Sequence, residues 1–171
     1  MKKQSAGLLV YRLKNGRPEV LIAHMGGPFH SNKDQGHWSV PKGEFDGGED
    51  PKLAAAREFG EELGKAVPPG DWQDLGSVIL KNGKEVSVWA VEGDLDVSDI
   101  TSSTFRLEWP PRSGQVQEFP EIDRAGWFGL PEAAAKLSPG QVAFLERLAN
   151  LLHVPFGAEQ VPGPPGQPSL F

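Results

Sequence analysis

Residues 43–65, GEFDGGEDPKLAAAREFGEELGK, are the stretch that decides how this chain folds. The segment after Asp50 predicts a helix. Asp50 can cap its first turn, and Pro51 suits the first helical position because no N–H is needed there. Gly64 suits a left-handed residue that ends the helix. The stretch therefore reads as a loop, a helix and a second loop.

Three acidic side chains are expected to share one side of this helix. At about 100° per residue, Glu58, Glu61 and Glu62 fall within an arc of roughly 100°. The opposite side should pack against a core through Leu53, Ala56, Phe59, Gly60 and Leu63. Like charges at these spacings cost about 0.2–0.5 kcal/mol per pair. A bound divalent cation would remove the repulsion, and oxygen ligands favour Mg²⁺ or Mn²⁺. The alternative is a solvated acidic face.

The spacing of the whole stretch resembles the Nudix box, the signature of the Nudix hydrolases. That signature reads Gly, five residues, Glu, seven residues, Arg-Glu-apolar-any-Glu-Glu-any-Gly-apolar. The matching residues are Gly43, Glu49, Arg57, Glu58, Phe59, Glu61, Glu62 and Gly64. Lys65 departs from the final apolar position. Because Lys65 follows the helix stop, we expect this departure to affect packing rather than chemistry.

The resemblance implies an α+β fold, a Nudix-type α/β/α sandwich with a mixed sheet and a loop–helix–loop catalytic motif. It implies that Glu58, Glu61 and Glu62 bind Mg²⁺, with Mn²⁺ as the alternative, and that Glu61 and Glu62 are catalytic. Arg57 is expected to pair with Glu49 and brace the loop against the helix. The implied reaction is attack by water on a phosphorus atom of a diphosphate joined to another group.

The general base cannot be read from the box itself. In some Nudix enzymes a glutamate of a later loop takes this role, and residues 114–123, GQVQEFPEID, are predicted to be such a loop. Glu118 is our candidate in it, and Glu121 is its nearest competitor. An exposed loop carboxylate is the alternative for Glu118.

The flank WSVPKGE, residues 38–44, resembles Nudix enzymes that hydrolyse dinucleoside polyphosphates. In that reading Lys42 contacts a phosphate, Trp38 stacks on a nucleobase, and Arg112 reaches over the cleft behind two prolines. Surface charge is the alternative for the two cations, and a core position is the alternative for Trp38. Lys33, Lys81 and Lys84 are further candidates for phosphate contacts, with surface charge as the alternative for each. His37 and Trp89 are further candidates for stacking, with a core position as the alternative for Trp89.

Three classes of function remain open from the sequence. The leading class is a metal-dependent pyrophosphohydrolase acting on a dinucleoside polyphosphate such as diadenosine tetraphosphate. ADP-ribose, nucleoside triphosphates and diphosphoinositol polyphosphates are alternative substrates. A Nudix-fold nucleotide-binding regulator without catalysis is the second class, although the complete glutamate set speaks against it. A Nudix-fold isomerase is the third, and the sequence gives it no positive support.

Whole-chain properties set the limits of these interpretations. A chain of 171 residues is expected to form one domain over 1–154, followed by a Pro/Gly-rich tail over 155–171. The net charge of −6 argues against binding nucleic-acid polymers. The absence of cysteine excludes disulfides and zinc–thiolate sites. No segment reads as a signal peptide or membrane span, so we expect a cytoplasmic protein, monomeric or homodimeric, with a small nucleotide substrate.

The remaining secondary structure follows from apolar periodicity and turn signals. Asn15-Gly16 and Asn82-Gly83 each predict a hairpin. Strands are predicted at 6–13, 19–25, 37–40, 75–80, 85–91, 105–109 and 124–128, and helices at 131–137 and 139–152.

Overall fold

The structure is a computed structural model that describes residues 3–156 of the chain. Its strands are β1 (Gln4–Lys14), β2 (Arg17–Met25), β3 (Trp38–Ser39), β4 (Lys42–Phe45), β5 (Gln73–Ile79), β6 (Glu85–Glu92), β7 (Thr104–Glu108), β8 (Val116–Pro120) and β9 (Ile122–Gly129). Its α-helices are α1 (Pro51–Leu63), α2 (Leu130–Lys136) and α3 (Val142–Leu152), and a 3-10 turn (Pro139–Gln141) precedes α3.

Seven strands form one mixed sheet in the order β3-β2-β1-β6-β5, with β4 also paired to β1 and β9 to β2. Strand β1 runs antiparallel to β2 and β4 and parallel to β6. The first predicted hairpin is present, and both of its turn residues, Asn15 and Gly16, have positive φ angles of 55° and 78°. Strands β7 and β8 form a separate antiparallel pair.

Helices cover both faces of the sheet because β1 is apolar at successive positions. Leu9 and Tyr11 point to the face packed by α2 and α3. Leu8 and Val10 point to the other face and contact Phe59 of α1. Alternate side chains of one strand leave opposite faces of a sheet, so a continuous apolar run predicts burial on both sides. The predicted mixed-sheet sandwich is confirmed.

Two strands escape prediction from the sequence. Lys42–Phe45 contains glycine and two charged residues, which are poor strand formers, and it becomes β4 because β1 supplies its backbone partners. Residues 114–123 were predicted as a loop, but Val116–Pro120 is strand β8, paired with β7. Strand β8 is mostly exposed and therefore lacks the apolar alternation that marks a half-buried strand.

The packed face of α1 also differs from the prediction. Ala54, Ala55, Phe59 and Leu63 are buried, whereas Leu53 is 67% exposed. The short alanines let α1 approach Ala6 of β1, so the packed face is turned towards Ala54 and Ala55 and away from Leu53. Residues 157–171, most of the predicted tail, lie outside the described residues. Within residues 3–156, no helix has both the length and the hydropathy that a membrane crossing needs.

Candidate active site

Helix α1 begins and ends as its sequence predicts. The carboxylate of Asp50 accepts a hydrogen bond from the Lys52 N–H at 2.8 Å, and Pro51 occupies the first turn. Gly64 ends the helix with φ 67° and ψ 24°. A Cβ atom on Gly64 would lie 2.7 Å from the Thr101 carbonyl oxygen, so glycine is required here for space as well as for φ. Both ends of the helix are thereby fixed.

A cavity of about 440 Å³ opens between the start of the sheet and the exposed side of α1. Its lining includes the three predicted carboxylates, Glu58, Glu61 and Glu62, together with two more from Glu44 and Glu121. Lys42 and Lys84 bring positive charge to the same cavity. Carboxylates and lysine ammonium groups therefore face one enclosed space, which suits a complex of metal cations with an anionic substrate.

Arg57 holds the acidic side of this cavity together. Its Nε and Nη2 donate to the two carboxylate oxygens of Glu49, each at 2.9 Å, so the predicted contact between loop and helix is present. Its Nη1 donates to Glu58 at 3.0 Å and to Glu61 at 3.2 Å. The hydrogen bond from Arg57 holds the pKa of the Glu49 carboxyl below its usual value. The guanidinium thus links loop and helix and partly neutralises two of the carboxylates.

Glu62 is the most buried of the five carboxylates that line the cavity. Burial, together with the charges of Glu58 and Glu121, raises the pKa of Glu62 to about 8 against the opposing effects of the Lys42 N–H and ammonium. The Lys42 N–H donates to its carboxylate at 3.1 Å. Burial, followed by the charge of Glu61, also raises the pKa of Glu58. The protein therefore compensates the negative charge of Glu58 and Glu62 only in part.

Gly43 gives Glu58 the room it needs. A Cβ atom at position 43 would overlap the Glu58 carboxylate, and Gly43 lies on β4 with its neighbours paired to β1. The first glycine of the box is therefore explained by contact with a carboxylate of the same box. No positive φ is involved at this position.

Backbone hydrogen bonds tie Glu121 to the helix. The Ser103 N–H donates to the Glu61 carbonyl at 2.8 Å, and the Glu121 N–H donates to the Ser103 carbonyl at 2.8 Å. On its other side, the Glu121 carbonyl accepts from the Gly26 N–H at 2.9 Å. A carboxylate 60 positions after Glu61 is brought to it by this chain of contacts.

Seven of the predicted catalytic and substrate-contacting residues lie outside the cavity lining: Glu118, Arg112, Trp38, Lys33, Lys81, His37 and Trp89. Glu118 is exposed on β8, opposite Arg106. Arg112 is exposed in the turn between β7 and β8. Trp38 is buried in the core, where its ring contacts His24 and Phe128 and its indole N–H donates to Asp34. Trp38 therefore takes the core position that was its alternative.

Sequence reasoning missed two features of the cavity. The sequence presents Glu121 only as the competitor of Glu118, because the two glutamates lie three positions apart and no local pattern distinguishes them. Ser5, which also lines the cavity, was not considered. The only sequence signal for Ser5 is its position as a polar residue at the start of an apolar strand.

The carboxylate oxygens of the cavity are suitable ligands for a divalent cation, but in this structure they do not lie close enough together to bind one. Within residues 3–156, no three His, Cys, Asp or Glu side chains are grouped closely enough to hold a metal ion. The reason is visible: Arg57 engages Glu58 and Glu61, and the Lys42 N–H engages Glu62. The oxygen chemistry of these carboxylates nevertheless fits Mg²⁺ or Mn²⁺, and the raised pKa of Glu62 indicates that a bound cation would favour its ionised form.

Comparison with known proteins agrees with this fold. The NUDIX domain family model matches residues 1–148, and the chain belongs to the NUDIX family. An asymmetrical bis(5'-nucleosyl)-tetraphosphatase of Caenorhabditis elegans is 42% identical over 62 residues, which span 36% of this chain and 41% of that protein. The shared segment is therefore less than half of that relative.

Solved structures show the same fold at low sequence identity. The Caenorhabditis elegans Ap4A hydrolase in a binary complex superposes with a TM-score of 0.63 at 23% identity, covering 87% of this chain and 98% of that one. The NUDIX domain of Shewanella oneidensis NrtR, complexed with ADP ribose, gives a TM-score of 0.63 at 14% identity and covers 89% of both chains.

These findings confirm the predicted family and the predicted fold class. The family match and the hydrolase relatives support an enzyme that acts on phosphoanhydride bonds, as the sequence predicts. Nudix hydrolases generally use divalent metals.

Proposed function

We propose that this protein is a Mg²⁺-dependent hydrolase of dinucleoside polyphosphates, with diadenosine tetraphosphate as the first substrate to test. The observation that carries the proposal is one cavity lined by five carboxylates and two lysines. The relatives named as a bis(5'-nucleosyl)-tetraphosphatase and an Ap4A hydrolase support the choice of substrate.

In this proposal Glu58, Glu61 and Glu62 hold the metal, for which Mn²⁺ can substitute. A bound divalent metal activates a water molecule and neutralises charge on the phosphoryl oxygens. Arg57 and Glu49 keep the loop before α1 in place, and Gly43 leaves room for the Glu58 carboxylate. Gly64 fixes the far end of the helix that carries all three ligands.

We assign the general base to Glu121 instead of Glu118. Glu121 lines the cavity, and its backbone is held by Ser103 and Gly26. A general base must lie within hydrogen-bond reach of the proton it removes, directly or through one water, and geometry is the first criterion. Lys42, which also lines the cavity, binds a phosphate of the substrate.

The test is a substrate panel with Mg²⁺, scored for released nucleotide and phosphate. It contains diadenosine tetraphosphate, ADP-ribose, ATP and a diphosphoinositol polyphosphate. We expect hydrolysis of diadenosine tetraphosphate, lost in EDTA and lost in Glu61→Gln. Preference for another member would correct the substrate and leave the chemistry standing.

Two alternatives have support from the NrtR likeness, whose NUDIX domain was solved with ADP ribose. The first is hydrolysis of ADP-ribose, which the panel detects directly. The second is a binding module without catalysis. Tight nucleotide binding with no turnover on the whole panel would favour the binding module.

A further inference from the structure

Ser5 lines the cavity and carries a buried, unpartnered hydroxyl group. Its residue is only 1% exposed, and its Oγ has no hydrogen-bond partner among the described residues. Such a group costs free energy in a folded protein, because it has lost its hydrogen bonds to water. The Ser5 backbone is fixed between β4 and β6, opposite Glu44 and Val86.

Charged side chains lie on the same face of the sheet beside Ser5. Lys42 and Glu44 are two residues apart on β4, so their side chains share one face. The register pairs Glu44 with Ser5 and Lys42 with Gly7. A diagonal neighbour in an antiparallel pair lies about 7–8 Å away between Cα atoms, within reach of a long side chain. The Lys84 ammonium is bound to Glu44 at 2.9 Å, directly across from Ser5.

These donors have chemistry opposite to that of the α1 carboxylates. Burial lowers the pKa of the Lys42 ammonium, and the charge of Lys84 lowers it further. The Lys42 ammonium and the Ser5 hydroxyl beside a cavity suit an anion with several oxygens. The Lys84 ammonium already pairs with Glu44 and offsets the charge of that carboxylate.

We propose that the Ser5 hydroxyl, together with the Lys42 ammonium, binds a phosphate group of the substrate next to the metal-binding carboxylates. The proposal rests on the proposed function for the identity of the substrate, but the phosphate site itself can be tested without turnover. Phosphate oxygens accept the Ser5 O–H, which satisfies the buried hydroxyl. Ser5 is thus a binding residue for the phosphate chain.

The experiment compares wild type, Ser5→Ala and Ser87→Ala by calorimetric titration with inorganic tripolyphosphate in EDTA. Ser87 is the matched control, a half-buried serine on the neighbouring strand β6 outside the cavity lining. A hydrogen bond to a charged group predicts at least about tenfold weaker tripolyphosphate binding in Ser5→Ala. Ser87→Ala should match wild type.

Two further measurements separate phosphate binding from other roles. Ser5→Ala should retain wild-type Mn²⁺ affinity and a melting temperature no lower than wild type, since the unpartnered hydroxyl is removed. On the best panel substrate, its KM should rise about tenfold with little change in kcat, because ground state and transition state lose the same contact.

Equal tripolyphosphate affinity in wild type and Ser5→Ala, or no binding by wild type, would overturn the phosphate site. Weaker Mn²⁺ binding in Ser5→Ala would also overturn it and would place Ser5 beside the metal instead. Failure of the proposed function looks different: wild type would hydrolyse nothing in the panel, while the tripolyphosphate titration would still decide the role of Ser5.

Discussion

Replacing Glu62 with glutamine should stabilise the metal-free protein and weaken its response to Mg²⁺. The pKa of Glu62 rises from 4.5 to about 8 in the folded protein. Between these pH values the unfolded chain has released the proton, and the folded protein still holds it. The unfolded state then binds fewer protons, so the free energy of unfolding falls as pH rises through this window.

The size of the effect follows from the two pKa values. With 4.5 unfolded and about 8 folded, ionisation of Glu62 lowers the free energy of unfolding by about 1 kcal/mol at pH 5 and by at most about 4 kcal/mol at pH 8. Glu62→Gln removes the titration and keeps an oxygen to accept the Lys42 N–H. In EDTA its advantage over wild type should therefore grow with pH.

Urea unfolding at pH 5, 6, 7 and 8, in EDTA and in Mg²⁺, measures this directly. A metal present at 100 times its Kd stabilises the folded state by about 2.7 kcal/mol, and Glu62→Gln should lose most of that gain. Glu118→Gln is the control at an exposed position outside the cavity and should change the free energy of unfolding by less than about 0.5 kcal/mol. A pH-independent difference in EDTA, or a Glu62→Gln protein less stable than wild type at pH 8, would refute the reasoning.

Three other predictions test the assignment of the site. Glu121→Gln should lower kcat by about 10²–10⁴-fold if it is the general base, and Glu118→Gln should leave kcat unchanged; the reverse order in steady-state kinetics would return the role to Glu118. Gly43→Ala should displace the Glu58 carboxylate and weaken Mn²⁺ binding in a metal titration, and unchanged affinity would contradict the steric argument. Trp38→Phe should lower the melting temperature, because core contacts are lost, and should leave the KM of the folded variant unchanged. A raised KM with an unchanged melting temperature would instead support the stacking role.

The two ends of α1 and the family of this chain could be predicted from local sequence signals. A cap at Asp50, a left-handed glycine at Gly64 and a fixed spacing of glutamates depend on neighbours within a few residues. The hairpin at Asn15-Gly16 is of the same kind. Its turn geometry requires positive φ angles, and those two residue types supply them.

The orientation of α1 and the fate of Trp38 required the fold. Leu53 and Ala55 are both apolar, and only the approach of α1 to Ala6 decides that the alanine is buried. Trp38 is suited by its chemistry to a core or to a ligand. Its burial against His24 and Phe128 follows from how β2, β3 and β9 pair.

The sequence by itself determined the family, the helix that carries the three glutamates and the contact between Arg57 and Glu49, because these depend on spacing within one segment. Only the tertiary structure decided that Glu121 reaches the cavity and Glu118 does not, and that Ser5 lies beside Lys42. Those choices depend on β-strand register and on hydrogen bonds between residues far apart in the chain. A shift of one residue in register moves every side chain of a strand to the other face.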